Sequence, residues 1–201
     1  MATQITTKEA LGLDDGSTDG TVMASGSKAK KVKIKAPKIT ANTKLPPNPF
    51  IFEILESANK QRKIDDRIDV LKEYRNEALV SILIWNFDDT VQSALPEGEV
   101  PYKENDAPAG TEHTSLRQEQ RHFFNFIQGG NDSLSKTRRE TIFIQILETL
   151  LPEEAEILCL VKDQRLVAKY PTLSQELIAE AYEDIQWGGR GGTKYEGGVV
   201  N

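Results

Sequence analysis

Few side chains in this sequence combine the types and spacing that catalysis requires. The only cysteine, Cys159, lies within the apolar run Ile157–Val161. A reactive thiol needs a lowered pKa and a nearby base, whereas apolar surroundings raise the thiol pKa, and free cysteines are commonly buried. The two histidines, His113 and His122, lie elsewhere in the chain, so only the tertiary structure could bring them to the cysteine. We therefore predict that Cys159 is a small core residue and that the protein is not an enzyme.

Metal sites are not predicted either. One cysteine and two histidines in distant segments lack the spacing of a zinc site. The segment Asp15–Gly20 begins like a calcium-binding loop, but its twelfth position is Gly26 instead of a bidentate glutamate. Adjacent acids usually cap helices or form turns, because they accept bonds from nearby amides. We assign that role to Asp88–Asp89, Asp65–Asp66 and Glu153–Glu154, and we predict no cofactor.

Sequence motifs for phosphate chemistry and DNA reading are weak. The chain has no G-x-x-x-x-G-K-[ST] motif, and its WGGRGG sequence follows a helix and precedes a tail. A DNA-reading role for the last predicted helix is disfavoured, because its acids would repel phosphate groups. Those acids are Glu176, Glu180, Glu183 and Asp184.

Charge is distributed unevenly along the chain. Up to Pro47, eight lysines and four acids give +4, which leaves −10 for the remainder of a chain whose formal net charge is −6. A basic arm attracts phosphate or another acidic surface, so any nucleic-acid contact is expected to come from this arm. The arm residues predicted to interact are Lys28, Lys30, Lys31, Lys33, Lys35, Lys38 and Lys44. The corresponding residues of the C-terminal tail are Arg190, Tyr195, Val199 and Val200.

Neither export nor a membrane span is predicted. A single cysteine cannot form an internal disulfide, and the N-terminal residues lack the continuous apolar core of a signal peptide. The most apolar window, Ala78–Phe87, is about half the length of roughly 20 residues that a bilayer span requires. We expect a reducing environment and no contact with membranes.

Helical periodicity organises the first half of the chain after an N-terminal arm. Residues 1–47 have too few large apolar groups to offset the entropy of ordering, which predicts an extended arm. A helix is predicted from Pro49 to about Asn59, and the longest helix from Ile64 to Trp85, bent near Asn76. Their apolar stripes contain Phe50, Ile51, Ile54, Leu55, Ala58, Ile64, Ile68, Leu71, Ala78, Leu79, Ile82 and Trp85.

The second half of the chain begins after a loop over residues 95–110. We refer to this segment, which contains three prolines and two glycines, as the proline loop. Ser115 and Gln118 form the pattern of a capping box, and Gly129–Gly130 mark the end of that helix. Its predicted buried stripe is Leu116, Phe123, Phe124 and Ile127.

Three more helices are predicted from there to Trp187. Residues 138–151 have the cleanest helical period, and Pro152 suits the first turn of another helix. Thr172 and Gln175 predict a capping box for the last helix, which is expected to close at Trp187. The chain is therefore predicted to be mainly α, a small bundle of about six helices. Its predicted parts are an extended basic arm over residues 1–47, a helical domain over 48–187 and a Gly-rich flexible tail over 188–201.

Longer stretches of the sequence carry a family likeness. They read ETIFIQILETLLPEEAEILCLVKDQRL, YPTLSQELIAEAYEDI, NPFIFEILESANKQRKIDDRIDVLKEY and RHFFNFIQGG. Residues 48–187 thereby resemble an uncharacterised protein family of tailed bacteriophages, especially contractile-tailed phages of marine cyanobacteria. The resemblance implies a phage origin, in the virion or in the host cytoplasm during infection.

The sequence therefore favours a non-enzymatic phage structural or assembly protein. Its helical body is expected to dock on other virion proteins, while its N- and C-terminal arms order on neighbouring proteins. The alternative is a regulatory adaptor that acts on host or phage replication or transcription machinery, with the lysine arm contacting nucleic acid. Neither hypothesis involves a small-molecule substrate.

Overall fold

The computed structural model describes residue 40, residues 44–105, residue 107 and residues 113–189. Most of the predicted arm and the predicted tail beyond Gly189 lie outside these residues. Within them, the prediction of a mainly α bundle is confirmed, since they form eight α-helices and one 3₁₀ helix, with no strand. None of the described helices is long and apolar enough to cross a membrane.

The helices follow one another with short connections, apart from the loop between the third and the fourth. They are α1 (Ile51–Lys60), α2 (Ile64–Glu73), α3 (Glu77–Phe87), α4 (Leu116–Glu119), the 3₁₀ helix (Gln120–Phe126), α5 (Lys136–Thr149), α6 (Pro152–Lys162), α7 (Leu166–Lys169) and α8 (Gln175–Ala181).

The segment predicted as one long bent helix is two helices, α2 and α3. The chain leaves the helical conformation after Tyr74, and Asn76 becomes the N-cap of α3 by accepting a bond from the Leu79 amide at 3.0 Å. A capping side chain satisfies a free amide at a new helix start, so it favours a break over a bend. Ile64, predicted as part of the buried stripe, is 55% exposed at the first position of α2.

The Ser115–Gln118 capping pattern is confirmed at the start of α4, where the Ser115 amide donates to Gln118 Oε1 at 3.0 Å. The helix then tightens into the 3₁₀ form, which has three residues per turn. Phe123 and Phe126 therefore share the buried side, and the prediction that Phe124 is buried is wrong, since it is 50% exposed.

The last predicted helix begins later and ends earlier than expected. Its N-cap is Ser174, whose hydroxyl accepts a bond from the Leu177 amide, and α8 ends at Ala181. Thr172 does not cap it, because its hydroxyl donates to Asn59 Oδ1 at 2.8 Å instead. The predicted capping box at Thr172 is therefore wrong, and Thr172 joins the end of α1 to the segment before α8.

One hydrophobic core joins the helices on both sides of the proline loop. Helix α6 packs against α1, α3 and α5, while α2 packs against α1 and α8. Aromatic rings add a link between α3 and α5: Trp85 stacks on Phe126 at 6.3 Å between centroids, and Phe126 meets Phe143 edge-on at 5.1 Å. Leu45, inside the predicted arm, is also buried in this core.

Candidate functional site: a groove on the outer side of helix α6

Helix α6 has one face in the core and one face toward solvent. Pro152 occupies its first turn, as predicted, where a missing amide hydrogen costs little. Ala155, Leu158 and Val161 are fully buried. The outward residues follow the helical spacing of three and four, which places them in one row. They are Glu156, Cys159, Leu160 and Asp163.

The proline loop that follows α3 forms the opposite wall of this row. Lys162, although almost fully buried, donates from Nζ to the carbonyl oxygens of Pro96 at 2.8 Å and Gly98 at 3.1 Å. The Gly98 amide donates to Asp163 Oδ2 at 3.3 Å, and the Lys103 amide donates to Glu148 Oε1 at 3.3 Å. Contacts with α5 and α6 therefore hold the loop at a fixed distance from the outer face of α6.

Between the loop and the helices lies a groove with two adjacent parts, whose linings share Glu99 and Val100. The larger part, about 990 Å³ and open to solvent, follows α6 and is lined by Tyr102, Glu104 and the outward residues of that helix. The smaller part, about 430 Å³, reaches α5 at Phe143 and Ile144. We refer to the whole as the α6 groove.

The α6 groove is predominantly acidic. Glu156 pairs with Lys169 at 2.5 Å, and Asp163 pairs with Lys162. Glu99 and Glu104 are exposed on the loop wall and form no ion pair with any residue that the structure describes. Arg165 also lines the larger part and carries a positive charge. The floor between the acids is apolar and half-buried.

Cys159 lines this groove. It is half-buried and packs against the core, whereas the sequence predicted a residue inside the core. Burial raises the pKa of its thiol to about 11, and the carboxylates of Asp163 and Glu156 also raise it, while Lys162 acts in the opposite direction. The thiol is therefore protonated at neutral pH, which agrees with the predicted lack of reactivity.

Neither histidine is among the residues that line the groove. His113 Nε2 lies 2.9 Å from the Ala107 carbonyl oxygen, and His122 is next to Arg121 on the 3₁₀ helix. Across the residues that the structure describes, no group of three or more His, Cys, Asp or Glu side chains is placed to hold a metal ion.

Asp88 forms a turn, as predicted. It is the C-cap of α3, and its Oδ1 accepts bonds from the Thr90 amide at 3.0 Å and from the Thr90 hydroxyl at 2.6 Å. Its Oδ2 accepts a bond from the Gly188 amide at 3.0 Å. The buried carboxylate thus holds Gly188, the first residue of the Gly-rich sequence, against the end of α3.

Glu154 has a role that the sequence did not indicate. The sequence predicts that it lies in the first turn of a helix, where an acid faces the positive end of the dipole, and it does lie there. Its fully buried carboxylate also accepts bonds from the amides of Ile51 at 3.0 Å and Leu116 at 2.9 Å, the first residues of α1 and α4. Burial raises its pKa to about 7, although these two bonds act in the opposite direction. Glu154 therefore joins three helix starts.

The predicted interaction residues are mostly outside the described residues. Among the arm lysines, the structure describes Lys44, which is exposed beside the buried Leu45. The other arm residues, Lys28, Lys30, Lys31, Lys33, Lys35 and Lys38, and the tail residues Arg190, Tyr195, Val199 and Val200 lie outside the described ranges. Their roles stay predictions.

The α6 groove and Glu154 lie within the part of the chain that matches a known family. No curated protein and no solved structure matches the chain. Residues 54–168, from α1 to α7, match a family described as a family of unknown function, DUF6433. The match covers more than half of the sequence, and the chain belongs to this family.

Proposed function

We propose that this protein is a non-enzymatic structural or assembly protein of a tailed bacteriophage, present in the virion and, during infection, in the host cytoplasm. Its helical body docks on other virion proteins, and its N- and C-terminal segments order on neighbouring proteins. The resemblance of residues 48–187 to proteins of contractile-tailed phages supports the phage origin. The structure of the body supports a role in binding.

The observation that carries the proposal is how the body uses its buried polar side chains. Glu154 accepts bonds from two helix-start amides, and Lys162 donates to two loop carbonyls. Asn86 Oδ1 accepts a bond from the Leu166 amide at 2.9 Å, and the Tyr182 hydroxyl donates to the Leu71 carbonyl at 2.6 Å. Each of these groups is bonded to the main chain of a distant segment, and this arrangement holds the helices in place.

The same body presents a preformed surface to other proteins. The α6 groove is apolar at its floor and charged at its rim, the distribution found in protein interfaces. Its loop wall is held by bonds to α5 and α6, so little ordering is needed when a partner binds. Rigid shape with an open groove is the property that a docking protein requires.

Quantitative mass spectrometry of gradient-purified phage particles tests this proposal. Peptides of this chain are expected at a fixed, stoichiometric ratio to those of a particle protein of known copy number, and the ratio should survive a high-salt wash. A chain found in infected-cell lysate but missing from washed particles contradicts the virion role.

A regulatory adaptor with a DNA-binding arm is the second candidate, and the charge of the arm favours it. Residues 28–44 contain seven lysines and no acid. If these lysines contact duplex phosphates, log affinity should fall with log salt with a slope of up to about −6, and deletion of residues 1–47 should remove the binding. Affinity that is independent of salt, or unchanged by the deletion, rules this candidate out.

A further inference from the structure

We infer that the α6 groove binds the lysine-rich segment Lys33–Ile39 of the same chain. This segment, KIKAPKI, lies outside the residues that the structure describes. In an extended conformation successive side chains point to opposite sides, so Lys33 and Lys35 face one way while Ile34 and Ala36 face the other. Such a segment presents a cationic edge and an apolar edge along the same length.

Charge is the first feature of the groove that suits this segment. Glu99 and Glu104 project from the loop wall, exposed and without an ion pair to any described residue. The surrounding acids make the groove negative. Burial raises the pKa of Tyr102 to about 12, with smaller contributions from Cys159, Glu104 and Glu156. The ammonium groups of the segment's lysines would form ion pairs with the carboxylates of Glu99 and Glu104 at the rim.

Apolar surface is the second feature. Val100, Tyr102 and Leu160 are half-buried and lie between the acids of the loop wall and those of α6. The aliphatic side chains of Ile34 and Ala36 would cover this floor while Lys33 and Lys35 stay at the rim. A purely ionic partner would leave the floor exposed to water, so an alternating segment matches the groove better than a run of lysines does.

Chain length allows the segment to reach the groove. The body begins at the buried Leu45, and the Ile51 amide lies 3.0 Å from Glu154 Oε1, at the start of α6. The groove residues of α6 lie within about 16 Å of that point, at 1.5 Å per helical residue. Because the chain belongs to the body from Leu45 onward, its reach is counted from there: the 12 residues from Lys33 to Leu45 can span about 40 Å when extended. Both the groove and the segment belong to one chain, so their local concentration is high.

This contact within one chain does not depend on whether the protein is part of a virion, and a partner protein that docks on the α6 groove displaces the segment. Carbodiimide coupling of the full-length protein tests it, because the reagent joins an amine to a carboxylate only where the two touch. An equal mixture of unlabelled and ¹⁵N-labelled chains is used, so that coupled peptides report whether one chain or two took part.

Coupling is expected between Lys33 or Lys35 and the carboxylates of Glu99 or Glu104, in peptides that carry a single isotope. The yield should fall from low salt to 1 M salt, where the screening length is about 3 Å. Coupled peptides that combine the two isotopes, or coupling of these lysines only to acids outside the groove, overturn the proposal.

Cys159 supplies an independent readout from inside the groove. Replacing the three lysines together (Lys33→Glu, Lys35→Glu, Lys38→Glu) should raise the alkylation rate of the Cys159 thiol severalfold, because the segment no longer covers it. Reversing the charges of the loop wall as well (Glu99→Lys, Glu104→Lys) should restore the slow rate. The matched control reverses the charges of three upstream lysines (Lys28→Glu, Lys30→Glu, Lys31→Glu) and should leave the alkylation rate unchanged. Equal rates in both triple variants contradict the docking of this segment.

Discussion

The two faces of helix α6 put similar residues to different uses. On the inner side, the carboxylate of Glu154 is fully buried and bonded to the starts of α1 and α4. Two residues later, Glu156 is exposed on the rim of the α6 groove and pairs with Lys169. The inner acid stabilises the arrangement of the helices, whereas the outer acid contributes charge to a surface. Two acids that are two positions apart on one helix thus differ in function, because one of them lies at a junction of helix ends.

The largest expected difference between the two faces is in core packing. Leu158→Ala, at a fully buried position of α6, should lower the free energy of unfolding by about 2–5 kcal/mol, because it leaves a cavity. The matched variant Leu160→Ala, on the groove side, should cost about 1 kcal/mol or less. Urea unfolding of both variants measures this difference. Equal losses would show that the groove side is as tightly packed as the core.

The second difference is in the pH dependence of stability. The pKa of Glu154 is raised to about 7 in the folded protein, above its ordinary value of 4.5, so the folded state holds this proton more tightly. The resulting stabilisation is complete below about pH 4.5 and is lost as the pH rises through 7, a change of about 3 kcal/mol.

Glu154→Gln should therefore flatten this fall when the free energy of unfolding is measured from pH 4.5 to 8. The variant also loses one acceptor oxygen, which should cost about 1–3 kcal/mol at low pH. Glu156→Gln, on the exposed side of the same helix, is the control and should leave the slope in place. A slope that survives in Glu154→Gln would assign the titration to another group.

The third expected difference is between the loop wall and helix α6, which supports it. Lys162→Met keeps the buried aliphatic stem but removes the donors to Pro96 and Gly98, with an expected loss of about 1–3 kcal/mol. Hydrogen exchange at the Gly98 amide should speed up more than exchange within α6. Arg165→Met, which removes an exposed charge from the groove, should change stability by about 0.5 kcal/mol or less. Unchanged exchange at Gly98 would mean that other contacts hold the loop.

The smallest expected effect is on the reactivity of the groove thiol. A pKa of about 11 lowers the thiolate fraction of Cys159 about a hundredfold at pH 7 relative to its ordinary pKa of 9.0, while the stronger intrinsic nucleophilicity recovers about tenfold. Alkylation should therefore be at least about tenfold slower than in the urea-unfolded chain, and its rate should still be rising at pH 9. Rapid modification of the folded protein at neutral pH would show that the thiol is activated.

Local signals in the sequence were sufficient where a few neighbouring residues decide the structure. Pro152 marks the start of α6, and Ser115 with Gln118 marks the start of α4, because caps depend on side chains within three or four positions of the helix start. Asp88 forms the expected turn for the same reason. The fold class follows from apolar residues at helical spacing, since each such stripe must be buried against another element.

Predictions from helical patterns were wrong where the local geometry or a distant partner departed from the pattern. The helical pattern predicts Phe124 in a buried stripe, but the 3₁₀ turn places it at the surface. Thr172 has the sequence pattern of a capping residue, yet its hydroxyl bonds to Asn59, which is 113 positions away in the chain. A helical pattern cannot reveal either outcome, because the first depends on the number of residues per turn and the second on a distant partner.

The sequence alone determined the helical class, most of the buried stripes and several helix starts, because these depend on neighbouring residues. The tertiary structure alone decided that Glu154 joins three helix starts, that Lys162 holds the proline loop, and that Cys159 lines a groove and is not enclosed in the core. Each of these results depends on groups far apart in the chain. Burial of a charged side chain is favourable only where the folded chain brings it polar partners, and the identity of those partners is set by the packing of the helices.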